Sequence, residues 1–228
     1  MSNRKGTTSV GRKILMALSG LFLIVFLLQH CTINFLSVVA PDTFNEVSQF
    51  MGTNPLIQYA LQPVLAFGVF FHLIMGIYLE RKNRNARPIK YAMDKPATNS
   101  SWMSRNMIIT GIMVMLFLAV HFYDFWLPEL NTKFLKGDMS GLNAAGEYRY
   151  MEEMAHKFSN AGRVILYVLS FIFLSLHLLH GFQSAFQSVG FNHNKYTPTI
   201  KRLGNLYAIV VPAVFIFIAL FHYFNQHA

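Results

Sequence analysis

A chain of 228 residues that is 54% hydrophobic, holds 22 Phe and has only 13% charged residues is not a soluble domain, which carries about 25% charge. Its formal charge of +9 is confined to connections between long apolar runs. Composition and patterning together specify an all-α integral membrane protein, a single membrane domain over residues 1–228 with no room for a second globular domain.

The apolar runs predict five transmembrane helices, at 14–39, 56–79, 106–127, 161–189 and 203–224. Each approaches or exceeds the roughly 20 residues that cross a hydrocarbon core. The first run is too long for the apolar stretch of a secretory leader, so Val38–Val39–Ala40 reads as a span end, not a cleavage site. Pro41, Pro55 and Pro128 are expected at span ends, while Pro63 and Pro212 fall inside spans and are expected to kink them. After a polar, Gly-containing stretch, the segment 147–158 places Tyr150, Met151, Met154 and Phe158 at helical spacing. It predicts a short amphipathic helix lying at the membrane surface.

The basic residues are one-sided. Arg4, Lys5, Arg12 and Lys13 precede the first span. Arg81, Lys82, Arg84, Arg87, Lys90, Lys95 and Arg105 lie between the second and third, and Lys195, Lys201 and Arg202 precede the fifth. These regions share one side if spans alternate, and the segment between spans one and two has no Lys or Arg. The bias places the N-terminus in the cytoplasm and the C-terminus outside. It explains the positive charge without nucleic acid.

Four consecutive spans carry histidine: His30, His72, His121, and His177 with His180 behind it. An imidazole inside a membrane span is costly unless it has a partner, so each is a functional candidate. In an up-down four-helix bundle, helices one and three stand diagonally, as do two and four. That spacing suits two imidazoles with an iron between them. Depth gives the same pairing: His30 and His121 lie roughly 25 and 24 Å from the cytoplasmic ends of their helices, and His72 only about 12 Å. The expectation is two haems stacked across the bundle, an outer one on His30 and His121 and an inner one on His72 and a histidine of span four. Cys31 is the only cysteine and there is no C-x-x-C-H, so the haems are of the b type. The plainer alternative is cross-helix hydrogen bonding or a proton path through the same histidines.

Two residues compete in span four. Depth favours His180, at about 15 Å against about 20 Å for His177. Side-chain faces favour His177, whose stripe holds Ser170, Gly181, Ser184 and Ser188, small residues that admit a flat macrocycle. Gly68 and Gly76 flank His72 in the same way, four residues to either side. His177 is preferred and His180 is the alternative ligand. His156, His193, His222 and His227 read as ordinary loop or C-terminal residues.

The run from Phe173 through His177, His180, Gly181, Ser184 and Ser188 to Gly190 resembles the fourth haem-bearing helix of the dihaem cytochrome b anchors of succinate dehydrogenases and fumarate reductases. A ligand histidine, three residues, and then Gly and Phe is the pattern carried by His177, Gly181 and Phe182. The likeness extends over the chain in span number and histidine order. The segment Asp42–Thr43–Phe44–Asn45 resembles the branch with one large anchor subunit.

The resemblance implies an electron conduit in a bacterial cytoplasmic membrane, with His30 and His121 on the outer haem b and His72 and His177 on the inner one. Gly68, Gly76, Gly181 and Ser184 would pack the haems. It further implies a menaquinone site, an iron–sulfur subunit docked on the cytoplasmic face and, beyond it, a flavoprotein bearing FAD and the dicarboxylate site. A dimer of the complex is compatible with it. The long basic connection 80–105 would receive the iron–sulfur subunit or lipid headgroups. For quinone proton handling, Asp124 stands first, beside Tyr123 and Trp126 one turn beyond His121. Gln58, Gln62 and Glu46 are weaker candidates. Two other classes remain: a dihaem cytochrome b of a hydrogenase or formate dehydrogenase, and a histidine-relay proton-coupled transporter without haem.

Overall fold

The computed structural model describes residues 9–85 and 106–227. The charged segment around Arg87, Lys90, Lys95 and Arg105 lies outside them, as do Arg4 and Lys5. The helices are α1 (Ser9–Val39), α2 (Pro41–Thr53), α3 (Ile57–Asn85), α4 (Met107–Leu135), α5 (Tyr150–Phe158), α6 (Ala161–Ser188) and α7 (Thr197–His227). Five of them, α1, α3, α4, α6 and α7, are long and apolar enough to span a membrane. At 1.5 Å per residue, 28 to 31 residues make helices of roughly 42–46 Å, which outrun a hydrocarbon core of about 30 Å. Their ends therefore reach beyond the apolar runs visible in the sequence.

Neighbouring packed pairs are α1 with α3, α3 with α4, α4 with α6, and α6 with α1. That ring leaves α1 and α4 on one diagonal and α3 and α6 on the other. Helix α7 lies along the outside of the ring, against α6 and α1. Its Gly204 lets the two backbones close, since a Cβ there would meet the Phe182 ring at 2.6 Å. Gly190, at φ 101°, follows Val189, the C-cap of α6. A left-handed residue of this kind ends a helix at little cost only when it is glycine.

The buried core sits in the half of the bundle that holds α2 and α5. Cys31, Phe44, Met154, Phe158, Tyr167, Phe171 and Phe215 pack there in one cluster. Helix α5 joins this core through Met154 and Phe158, so its apolar face is packed against the bundle. Helix α3 is the least buried of the five, and Phe67, Phe70, Ile74 and Tyr78 are exposed on it. In a bilayer those side chains meet lipid.

Three local features differ from the sequence reading. The connection between the first two spans is a helix, α2, with Pro41 in its first turn, where a missing N–H costs nothing. Pro128 does not end its span, because α4 continues to Leu135 through π-helical turns at Phe122–Trp126 and Asn131–Leu135. The first of these turns precedes the proline, and wide turns of this kind are frequent at functional sites. His222 is buried, not a loose terminal residue. Its Nε2 lies 2.9 Å from Ser37 Oγ, and its ring stacks on Phe158.

Candidate functional site

Two pairs of imidazoles meet inside the ring, each pair across a diagonal. The His30 and His121 rings have centroids 5.8 Å apart and planes crossed at 81°. His72 and His177 are 6.4 Å apart and crossed at 74°. It is His177, not His180, whose ring faces His72. Aromatic rings surround the first pair: Phe26 and Phe215 touch His30, and Phe117, Phe125 and Tyr167 touch His121.

The donor set tests what such pairs can hold. Among the described residues, no three His, Cys, Asp or Glu side chains converge as a metal site. Two imidazoles alone cannot complete a tetrahedral protein site. They do complete an iron already held by four macrocycle nitrogens. With metal–nitrogen bonds of about 2.0–2.1 Å, two opposed imidazoles put their centroids roughly 6 Å apart, close to both observed separations. The Nδ1 atom of His121 is buried and without a hydrogen-bond partner. The residues fit a haem at each pair.

The His72–His177 pair is held by hydroxyls of the facing helices. Ser19 Oγ lies 3.0 Å from His72 Nδ1, and Thr110 Oγ1 lies 3.3 Å from His177 Nδ1. Gly20 and Gly111 stand against the same two rings: a Cβ on either would meet the imidazole Cε1 at 3.4 and 3.5 Å. By contrast, Gly68 faces the Phe22 ring, Gly76 faces Met16, and Gly181 faces Met107, so these three also serve helix approach. Ser184 is half-buried on α6. In the outer pair, Asn34 Nδ2 sits 3.4 Å from His30 Nδ1 while donating to the His30 carbonyl at 2.8 Å.

Asp124 lies in the wide turn of α4, one turn beyond His121, and is 2% exposed. It is therefore enclosed by the bundle and not exposed on its surface. Oδ2 accepts from the Tyr167 hydroxyl at 2.9 Å and faces Arg163 Nε at 3.4 Å, while Oδ1 has no partner. Arg163 also lines an open pocket of about 560 Å³ with His156, Lys157, Ser159 and Asn160. Tyr123 and Trp126 turn away from Asp124 and are exposed. Glu46 is exposed on α2, Gln62 is half-buried, and Gln58 donates to the Met51 and Gly52 carbonyls. These candidates do not converge.

A charged cap closes the same end. Glu129 bridges Lys133 and Arg149, and Arg149 also reaches Glu153 at 2.5 Å. Burial works against the Arg149 charge, yet hydrogen bonds to Glu129 and Glu153 outweigh it and hold the group above the ordinary arginine range. Burial, with the Glu129 carboxylate, pushes the Tyr150 phenol up. Tyr150 donates to Gln49 at 2.6 Å, and Gln49 donates to the Met139 and Ser140 carbonyls. Helix α2, α5 and the loop between α4 and α5 are thereby tied together.

Fold and site define a multi-pass helical membrane protein with two imidazole pairs in its bundle. Over 102 residues the chain is 26% identical to the succinate dehydrogenase cytochrome b558 subunit of Bacillus subtilis (strain 168). The matched stretch is 44% of this chain and 46% of that one, so it spans about half the length of the relative. No protein-family model matches the chain, and no solved structure matches it.

Proposed function

We propose that this chain is the dihaem cytochrome b anchor of a succinate:menaquinone oxidoreductase or quinol:fumarate reductase in a bacterial cytoplasmic membrane. The observation that carries the reading is the meeting of four histidines from four helices as two diagonal pairs, His30 with His121 and His72 with His177. The likeness to a named cytochrome b558 subunit supports it.

In this reading His30 and His121 hold the outer haem b, and His72 and His177 the inner one. Bound haem supplies one-electron redox chemistry along the bundle axis. The chain's own residues bind and orient. The imidazoles fix two sites at different depths, and the phenyl rings around His30 and His121 exclude water there. Asp124 holds or accepts a proton at Oδ1 when menaquinol is oxidised nearby. Its Tyr167 and Arg163 contacts keep that oxygen in place. The iron–sulfur subunit docks on the cytoplasmic face and carries the flavoprotein, where FAD chemistry on succinate or fumarate occurs. This chain touches neither dicarboxylate nor FAD.

The test is a pyridine haemochrome assay with a reduced-minus-oxidised spectrum on the purified chain. Two b haems per chain are expected, both low-spin. A spectrum without a haem α-band would overturn the reading and leave the histidines as a proton relay.

A further inference from the structure

The two histidines of the inner pair are seated by the same short motif, presented twice. On α1, Met16-x-x-Ser19-Gly20 faces His72-x-x-x-Gly76 of α3. On α4, Met107-x-x-Thr110-Gly111 faces His177-x-x-x-Gly181 of α6. All four contacts recur. The hydroxyl meets Nδ1 at 3.0 and 3.3 Å. The glycine stands against the ring edge, where a Cβ would touch Cε1 at 3.4 and 3.5 Å. The methionine methyl lies where a Cβ on Gly76 or Gly181 would meet it, at 3.5 and 3.3 Å. Each hydroxyl also donates its proton to the methionine carbonyl three residues back, at 2.8 and 3.0 Å.

That last bond selects the tautomer that satisfies hydroxyl, carbonyl and imidazole together. A serine or threonine hydroxyl has one proton and two lone pairs. With the proton committed to the Met16 or Met107 carbonyl, the oxygen can only accept from the imidazole. Nδ1 must then carry the proton, and Nε2 of His72 and of His177 is left with a free lone pair. The partner that fixes a ligand histidine's tautomer and ring orientation also raises its basicity. In the outer pair, His121 Nδ1 has no partner at all.

We propose that Ser19–Gly20 and Thr110–Gly111 are paired positioning motifs for the inner haem. Each presents a histidine Nε2 to the iron and, through the Nδ1–H···O bond, lowers the potential of that haem. The inference rests on the dihaem reading but adds residues that reading does not assign. It also makes the two halves of the bundle, α1 with α3 and α4 with α6, copies in chemistry as well as in direction.

The experiment uses the full chain in detergent, with Ser19→Ala and Thr110→Val as removals and Ser19→Thr and Thr110→Ser as hydroxyl-keeping controls. Both haems are titrated potentiometrically, the inner one being that lost in His72→Ala. The removals are expected to move the inner midpoint upward or to lose that haem, and the controls to behave as wild type. The outer haem should not respond. Unchanged inner midpoints in both removals, or equal shifts in the controls, would overturn the proposal. Nitrogen NMR of histidine-labelled haem-free chain separates this from failure of the dihaem reading. His72 and His177 should show protonated Nδ1 in wild type and lose that preference in the removals. An Nε2–H tautomer in wild type would sink the motif whatever the haem content.

Discussion

Tyr167 donates its phenolic proton to Asp124 Oδ2 across 2.9 Å, and both residues are 2% exposed. A carboxylate so buried needs its lone pairs satisfied, yet Oδ1 faces no partner. The wide turn over Phe122–Trp126 is what turns Asp124 into the bundle while Tyr123 and Trp126 point out. One turn back stands His121, whose Nδ1 is also orphaned. Two unmet polar atoms on one helix therefore lie at this end of the bundle.

The first expectation follows from that oxygen. Asp124→Asn keeps the shape and the Tyr167 hydrogen bond but removes the proton acceptor. Quinol-linked electron transfer should fall on the order of 10²-fold, the scale of a positioned acid–base group. Both haems should stay bound, and succinate oxidation by the complex with a soluble dye acceptor should be unchanged. Equal quinone-linked rates in mutant and wild type would leave Asp124 as an anchor for Tyr167 and Arg163. Glu46 would then be the next residue to test.

The second separates the two histidines of α6. Because the His177 ring faces His72, His177→Ala should cost the inner haem and spare the outer. His180→Ala should keep both. Haem counts per chain and the split of the α-band decide it, and the reverse pattern would reassign the ligand by one turn.

Much of this was legible in the sequence, for physical reasons. Apolar runs must be long to cross a bilayer, so five spans stand out, and the spacing of His30, His72, His121 and His177 survives any end effect. What the sequence leaves hidden is short or ambiguous. Helix α2 is polar and amphipathic, and lies between two spans like a loop. Pro128 reads as a stop because the wide turn that accommodates it has no sequence signature. His222 lies near the C-terminus, and only tertiary packing onto Ser37 and Phe158 reveals its burial. Ser19–Gly20 and Thr110–Gly111 look like the small residues common in any membrane helix until each is seen against an imidazole. The spacing around His72 and His177 points to Gly68, Gly76 and Gly181, yet these face Phe22, Met16 and Met107.

The charged cap yields a stability expectation. Glu129 is the shared anion of Lys133 and Arg149, whose side chains are 1% and 9% exposed. Glu129→Gln leaves buried Lys133 without its counter-charge and Arg149 with Glu153 alone, a loss of about 3–5 kcal/mol when a buried pair is broken. Thermal unfolding in detergent should show an early loss of structure in the cap, before the spans. An unchanged transition would mean that water already screens these charges.

The last expectation concerns space rather than hydrogen bonding. A Cβ on Gly20 or Gly111 would stand 3.4 or 3.5 Å from the Cε1 of His72 or His177, an ordinary contact. Alanine at either place should therefore be tolerated, helped by its better helix propensity. Valine adds two γ-carbons to a side chain that is stiff in a helix, and one of them must push on the ring edge. Overpacking of this kind costs about 1–3 kcal/mol, enough to weaken inner-haem binding by roughly tenfold to a hundredfold. Gly20→Val and Gly111→Val should each lose the inner haem on dilution while the outer haem remains, as read by haem content after gel filtration. If both valine variants kept two haems, the glycines would be helix-contact residues only. The ring edges of His72 and His177 would then have more freedom than the packing against them allows.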